Sequence, residues 1–452
     1  MKIIVCGAGN VGKSLVSYLI QGNNDIVVID NDNQKLKALS KEFDIQPVLG
    51  SASHPEVLEK ADADKADMLI AATDNDEVNM IACEVGAALF NISKKIARID
   101  SRDFLKPLWG GLFNEKHIAI DLVISPAMEI AKAVKSLLKI PGMSNVTTVL
   151  ENKAYILAFR CEHDNLCRNM SINRFESETP DTIMKTLCVI HQGKSFVPEG
   201  EYTIQTGDTI YFITPVKNAD AIIHHLGMEK SSITQALIFG GQETAQYLAI
   251  DLEKDDAILK TTIIEEDTII AKKLAKNLQN TAIINGDLMS DVILEEANID
   301  SCDVAIALTP HDKDNLLISM LAKQHKVPQS ISLVNTSSFG DFMENMSNGT
   351  LIDGAAVIIS SMLQELRKVR IRDAYSLGRN FGEIWEVIIS DNNPNAGQKI
   401  KDFGLPSGCR IGLIERKGEF ILPTDETTLE IGDILVVYIV SKAIKKAEKL
   451  FI

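Results

Sequence analysis

The sequence predicts an α/β protein built twice in tandem: a doubly wound parallel sheet followed by a small α+β module, then the same pair again. Three observations carry this. Short apolar runs rich in β-branched residues alternate with helical patterns through residues 1–124, the texture of a parallel sheet covered on both faces. From Val146 to Thr214 the texture changes to short strands and turns. From Ala236 the first programme begins again.

The opening segment sets the pattern. Lys2 to Cys6 is too short and too β-branched for a helix, so it reads as a buried strand. Gly7-Ala8-Gly9-Asn10-Val11-Gly12 follows, then a helical spacing from Lys13 to Gln21 and a second strand, Ile26 to Ile29, ending on Asp30. Strand, glycine turn, helix, strand and acid together make the Rossmann dinucleotide-binding arrangement. Gly7 makes the tight turn, Gly9 lets the backbone approach a pyrophosphate, and Gly12 lets the helix pack on the strand. The helix N-terminus offers free N–H groups to phosphate. Asp30, 23 residues after Gly7, is placed to accept ribose hydroxyls. A carboxylate there would repel a 2′-phosphate, which favours NAD(H) or a plain adenine nucleotide over NADP.

The same letters, with Lys13-Ser14, also fit G-x-x-x-x-G-K-[ST], the P-loop pattern. Three points count against it. A P-loop does not demand Gly9, the acid ends the very next strand, and the second copy of the unit lacks the Lys-Ser pair.

Further along, Gln34 to Phe43 reads as a helix, Ile45 to Leu49 as a third strand before Gly50-Ser51, and His54 to Leu58 as the start of another helix. Ala66 to Asp74 reads as a fourth strand running into a polar loop, Asp76 to Phe90 as a helix, Lys95 to Ile99 as a fifth strand and Ile118 to Ile124 as a sixth. Ligands of such sheets sit at the carboxyl ends of the strands, where Asp30, Ser51, Thr73-Asp74 and Arg98 all fall. Thr73 and Asp74 flank the nucleotide in this reading, and Arg98 reaches its phosphates. Ser125-Pro126 starts a helix to about Leu138, with Ser as cap and Pro in the first turn. Its apolar residues cover more than one stripe, as a crossover between domains or subunits would require. The small module that follows contains Gln192-Gly193-Lys194-Ser195, read as a hairpin turn.

The repeat keeps register. Gly50-Ser51, Ala66-Asp67, Thr73 and Asn79 match Gly286-Asp287, Cys302-Asp303, Thr309 and Asn315 at a constant offset of 236. Pro198 and Gly207-Asp208 match Pro423 and Gly432-Asp433 at an offset of 225. The expected segments are 1–124, a crossover helix at 125–143, a small module at 144–226, then 232–354, 355–373 and 374–452. The second glycine loop, Gly240-Gly241-Gln242-Glu243-Thr244-Ala245, carries Gln242 where the close-approach glycine belongs, and Leu333-Val334 stand where Arg98 would. Glu265 ends its second strand. That site would bind more weakly, bind a mononucleotide or be empty, and a weakened site is the preferred reading.

A net charge of −16 and a pI near 5.0 exclude non-specific nucleic-acid binding, which needs a basic surface. The chain opens directly into a core strand, so no signal peptide is expected, and no apolar stretch nears the roughly 20 residues of a membrane span. Seven scattered cysteines suit a reducing cytosol and match no zinc spacing. The basic run Lys368 to Arg372 either touches a membrane partner or is a solvated face, and the solvated face is the preferred reading.

Ile4 to Gly12, Ser53 to Leu58, Ala66 to Thr73, Asp76 to Met80 and Ile124-Ser125-Pro126 together resemble the TrkA family, the regulatory subunits of Trk potassium uptake. The similarity spans essentially the whole chain. It implies two tandem RCK units, each a Rossmann RCK-N lobe plus a small RCK-C lobe. It also implies a cytoplasmic protein, peripheral to the inner membrane, in a homo-oligomer (a dimer or tetrameric ring) beneath a separate potassium-translocating membrane subunit. NAD(H), and also ATP or ADP, would bias its conformation and gate transport. Carried over, the first site would use Gly7, Ala8, Gly9, Asn10, Val11, Gly12, Asp30, Thr73, Asp74 and Arg98. The second would use Gly240, Gly241, Gln242, Glu243, Thr244, Glu265 and Thr309. An NAD-dependent oxidoreductase would need a general acid or base near the nicotinamide. The eight histidines offer no such placement, and every segment already belongs to a repeat. The expectation is a ligand-binding regulator with no catalytic residue and no metal.

Overall fold

The computed structural model describes all residues except 23, 110, 115, 164, 180–181, 228–232, 256–257, 259, 336–348, 368–370, 379–380, 392, 394–395 and 452. The chain divides into two compact units, Met1–Ile130 with Val357–Glu365, and Ala131–Ala356 with Leu366–Ile452. Among the described residues no helix is long and apolar enough to cross a membrane.

The first unit holds strands β1 (Lys2–Cys6), β2 (Asp25–Asp30), β3 (Gln46–Leu49), β4 (Met68–Ala71), β5 (Lys94–Arg98) and β6 (Leu122–Ile124). They form one parallel sheet in the order β3-β2-β1-β4-β5-β6, interleaved with helices α1 (Asn10–Leu19), α2 (Asn33–Glu42), α3 (Pro55–Lys60) and α4 (Asp76–Phe90). This is the doubly wound dinucleotide-fold order, whose direction reverses between β1 and β4. Helices cover both faces, so Ile3 to Cys6 are all buried and β1 has no polar side. Helix α5 (Pro126–Lys139) follows, and Ser125 Oγ accepts the Met128 N–H at 3.4 Å as its cap.

Two strands are shorter than their apolar runs. Expected from Ala66, β4 starts at Met68, because the Ala66 N–H closes the preceding turn on the Ala63 carbonyl at 3.2 Å. Expected from Ile118, β6 starts at Leu122. Ala119 N–H turns to Glu84 Oε2 at 2.9 Å, and the Asp121 carboxylate holds buried Lys95 through an ion pair of 3.1 Å. A buried ammonium requires such a partner, so sheet pairing yields to it. Helix α1 begins at Asn10, three residues before the helical spacing becomes visible.

The second unit contains the antiparallel strands β7 (Asn145–Val149), β8 (Ala154–Arg160), β9 (Lys185–His191), β10 (Lys194–Phe196) and β11 (Thr209–Pro215), with helices α6 (Ile172–Ser177) and α7 (Val216–His225). Their sheet order is β10-β9-β11-β8-β7. Gln192-Gly193, both with positive φ, form the tight turn of the β9–β10 hairpin. The second parallel sheet is made of β12 (Gln235–Phe239), β13 (Lys260–Glu265), β14 (Thr281–Asn285), β15 (Val304–Ala307), β16 (Gln329–Val334) and β17 (Thr350–Asp353). Its order, β14-β13-β12-β15-β16-β17, copies the first. Helices α8 (Glu243–Leu252), α9 (Thr268–Asn277), α10 (Asp291–Glu296) and α11 (Asp312–Gln324) connect it. Then come α12 (Gly354–Arg367), strands β18 (Asp373–Ser376), β19 (Glu383–Ile388), β20 (Cys409–Arg416), β21 (Glu419–Ile421) and β22 (Ile434–Ile439), and α13 (Ile444–Phe451). The last sheet, β18-β19-β22-β20-β21, repeats the order of the first small sheet.

The two small sheets share one apolar core. Ile156, Leu187 and Ile213 pack with Ile384, Leu413, Val436 and Tyr438, all fully buried. At Gly412 an added Cβ would stand 2.2 Å from a Leu187 methyl, so only glycine lets β20 come so close to β9. Polar ties ring this core: Leu150 N–H donates to Glu386 Oε1 at 2.8 Å and Ser195 Oγ–H to the Phe381 carbonyl at 2.6 Å. In the basic run Lys368 to Arg372, residues 368–370 lie outside the described residues. Arg372 is no solvated charge, since it is ion-paired with Glu151 and stands 3.8 Å from buried Glu386.

Candidate functional site

The carboxyl ends of β1, β2 and β4 lie side by side and gather the glycine turn, Asp30 and Thr73-Asp74 at the point where strand order reverses. Two glycines of the turn have a steric cause, and the third does not. Gly7 has φ +107°, and an added Cβ would stand 2.8 Å from the Ala72 carbonyl oxygen. At Gly12 an added Cβ would stand 1.8 Å from the Gly7 carbonyl oxygen, which is what brings α1 down onto the strand end. At Gly9 an added Cβ would meet nothing within 4 Å among the described residues. Packing does not require glycine there; an approaching ligand would. Among the described residues no side chain caps α1, so its first N–H groups and the positive end of its dipole face that open space.

Asp30 is buried at the end of β2. Its Oδ2 accepts the Ala8 N–H at 2.6 Å and its Oδ1 the Asp32 N–H at 2.7 Å. The carboxylate therefore ties the glycine turn to the neighbouring strand. Each oxygen keeps a second lone pair that a ribose hydroxyl can use. Cys6, the last residue of β1, is held neutral by burial, which pushes its thiol up to about 12.

Thr73 is otherwise engaged. Its N–H and hydroxyl both donate to Asn79 Oδ1, at 3.0 and 2.7 Å, so it offers a ligand its shape more than its polar groups. Asp74 is exposed at the lip. Arg98, at the end of β5, is bound by the Asp100 carboxylate through Nε at 2.9 Å and Nη2 at 2.5 Å. Ser51 lies after β3 and pairs with Ser53 Oγ at 2.9 Å, two strands away from β1. In the sequence Asn79 stands out as the end of the repeat register and as part of the stretch Asp76 to Met80. Its role as the clasp of this loop is added by the structure.

The P-loop alternative does not survive this geometry. The helix starts at Asn10, leaving no loop to wrap a phosphate, and Lys13 Nζ is ion-paired with Glu42 Oε2 at 2.6 Å.

The second unit holds a twin of the site. Gly240 N–H bonds the Ile264 carbonyl at 2.9 Å as Gly7 N–H bonds that of Ile29 at 2.8 Å. Glu265 accepts the Gly241 N–H and, at 2.7 Å, the Asp267 N–H, as Asp30 does for Ala8 and Asp32. Thr309 N–H and hydroxyl donate to Asn315 Oδ1 at 3.0 and 2.8 Å. The differences fall where a diphosphate would lie. Gln242 has φ −69° and ψ −175°, against −72° and −170° at Gly9, so the same backbone carries a side chain where the first turn has none. Glu243 places a carboxylate in the first turn of α8, against the dipole end that would attract an anion. Thr244 is half-buried behind it. Asn315 Nδ2 donates to the Leu333 carbonyl at 2.9 Å, which identifies Leu333 as the counterpart of Arg98.

The TrkA-N domain family matches residues 3–126 and again 236–360, and the TrkA-C domain matches 384–452. The chain belongs to the TrkA family. It is 31% identical over 451 residues to the Trk system potassium uptake protein TrkA of Azorhizobium caulinodans, covering 100% of this chain and 98% of that one. It is also 31% identical to the TrkA protein of Vibrio alginolyticus over 455 residues, with the same coverage. The fold is that of the GsuK RCK domain (TM-score 0.62, 18% identity, 100% of this chain and 94% of that one) and of the GsuK channel bound to NAD (TM-score 0.61, 16% identity, 100% and 78%). Membership in the TrkA family accounts for the tandem Rossmann sheets with small antiparallel sheets after them.

Proposed function

We propose that this chain is the nucleotide-sensing regulatory subunit of a Trk-type potassium uptake system. It binds NAD(H), and also ATP or ADP, over the turn after β1, and it gates a separate potassium-translocating membrane subunit as part of a homo-oligomer. The observation that carries the reading is the open space at Gly9, facing an uncapped helix N-terminus beside Asp30, in a chain of the TrkA family. In this reading Gly7 to Gly12 and Asp30 hold the pyrophosphate and ribose, Asp74 lines the entrance, and Arg98 exchanges Asp100 for phosphate. The relative bound to NAD has the same fold, which supports the choice of ligand. The protein works in the cytoplasm, against the inner membrane through its partner, with no catalytic step of its own. The segments 1–124, 125–143, 144–226, 232–354, 355–373 and 374–452 are its functional divisions. A bound nucleotide moves the gating equilibrium only by its difference in affinity between two arrangements of these segments.

Calorimetric titration of the full chain with NADH, NAD+, ATP and ADP tests this. Saturable binding with one dominant site per chain, and no turnover of the nucleotide, is expected. Absence of binding, or steady hydrolysis that Lys13→Ala abolishes, would overturn it.

A further inference from the structure

Asn79 lies on α4, away from the turn after β1, and is fully buried. Its amide has every bond it can make. Oδ1 accepts the N–H and the hydroxyl of Thr73, while Nδ2 donates to the Thr73 carbonyl at 3.1 Å and the Arg98 carbonyl at 2.9 Å. One side chain therefore joins the end of β4 to the end of β5. We propose, resting on the nucleotide reading above, that Asn79 is a positioning residue of the first nucleotide site: it fixes the wall against which the glycine turn packs and the backbone that carries Arg98.

The connection to the site is steric on one side and electrostatic on the other. The turn that Asn79 holds begins at Ala72, the residue whose carbonyl oxygen leaves no room for a Cβ at Gly7. Any shift of that turn moves directly against the start of the phosphate-facing loop. On the far side, Asp76 lies one helical turn before Asn79 and accepts the Asp100 N–H at 2.9 Å. Asp100 in turn holds the Arg98 guanidinium. The first turn of α4 thus sets the Thr73 wall through Asn79 and the reach of Arg98 through Asn79 and Asp76 together. A buried amide satisfied on all four positions cannot tilt without leaving a polar group unpaired, so it holds one geometry.

Asn315 supplies an internal control. It makes the same four bonds, to Thr309 and to the Leu333 carbonyl, beside a turn that carries Gln242 and lacks the arginine. A purely architectural clasp would have the same consequences in both places. A positioning role would affect nucleotide binding from one place only.

The test compares Asn79→Asp with Asn315→Asp in the full chain, by NADH calorimetry and thermal melting. Aspartate keeps both acceptor contacts and loses both donated bonds. Similar losses in melting temperature are expected for the two variants, with NADH affinity falling about tenfold or more for Asn79→Asp alone. Asn79→Asp binding NADH like the wild type, or both variants weakening it equally, would overturn the role. Should Asn79→Asp not fold, hydrogen exchange of the wild-type chain decides. NADH is expected to slow exchange across residues 72–79 and leave 308–315 unchanged, and no slowing at 72–79 overturns the role. A wild-type chain that binds no nucleotide sinks the nucleotide reading and this role with it. Binding that Asn79→Asp leaves intact sinks only the role.

Discussion

The turns after β1 and β12 follow nearly the same backbone path, bond the same neighbours and end in the same buried carboxylate tie, yet they present opposite chemistry. At the first, Gly9 leaves open space before an uncapped helix, and Arg98 ends β5, two strands from β1. At the second, Gln242 occupies that space, Glu243 adds a negative charge at the helix start, and Leu333 replaces the cation. The positive-φ glycine, the acid and the asparagine clasp are kept in both. Gly12, which brings α1 onto the strand end, becomes Ala245, and the remaining differences fall where a phosphate would lie. The comparison separates two roles that one motif usually mixes, since Glu265 shows that the acid has a structural use with or without a ligand.

Gly9→Gln should break the difference most strongly. It copies the second turn into the first at a position where nothing lies within 4 Å. NADH affinity is expected to fall about 100-fold, roughly the worth of losing close phosphate approach with its charge-assisted bonds. Melting temperature should stay nearly constant. A large loss of stability with intact binding would refute the steric account of Gly9.

The reverse exchange sharpens the same contrast. Gln242→Gly, Glu243→Asn and Leu333→Arg together should give the second unit a weak site, tightening nucleotide binding there by about tenfold. Glycine is an acceptable residue at a helix N-cap, so folding is expected to survive. Titration that still saturates at the wild-type stoichiometry would mean that more than these three residues separates the two sites.

Asp100→Asn is a subtler probe. It weakens the hold on the Arg98 guanidinium, and affinity for NADH and ADP should rise about threefold. Unchanged affinity would place Arg98 outside the ligand's reach.

The smallest effect concerns the shared core of the small sheets. Burial raises the Glu386 pKa above its ordinary value, against the Leu150 N–H, which favours the charged form. A carboxyl raised on folding contributes stability that is present below the ordinary glutamate pKa of about 4.5 and lost as pH rises through the shifted value. Glu386→Gln should therefore stabilise the chain at pH 7 by up to about 1 kcal/mol and do little at pH 4. Thermal melts at the two pH values check this, and destabilisation at pH 7 would show that the Arg372 pair outweighs desolvation.

The glycine turn was legible because Gly7 and Gly12 answer local steric demands and Gly9 keeps the spacing that sequence displays. The repeat was legible because its offset holds at 236 from Gly50 to Asn79 and at 225 from Pro198 to Asp208. The start of β6 was not, since Ile118 and Ile120 make an apolar run, while Ala119 N–H and Asp121 are drawn to Glu84 and Lys95 by bonds no window along the chain reveals. Asn79 shows the same limit at the site itself. Its letter marked the repeat, but its bond to the Arg98 carbonyl spans 19 residues. The three-residue strands β10 and β21 are too short to carry a period. The face-to-face packing of the small sheets depends on Gly412 meeting Leu187 across 225 positions.

That shared core has a consequence for how such a chain can change. When two identical subunits meet across a two-fold axis, every substitution appears on both sides at once. Here the two related sheets belong to one chain, so a residue can be altered on one side while its counterpart stays as it was. The core around Tyr438 and Leu187 holds the small sheets together whatever the glycine turns do. One Rossmann sheet is thereby free to lose its phosphate chemistry while the other keeps it, and an asymmetric pair becomes heritable as a single molecule.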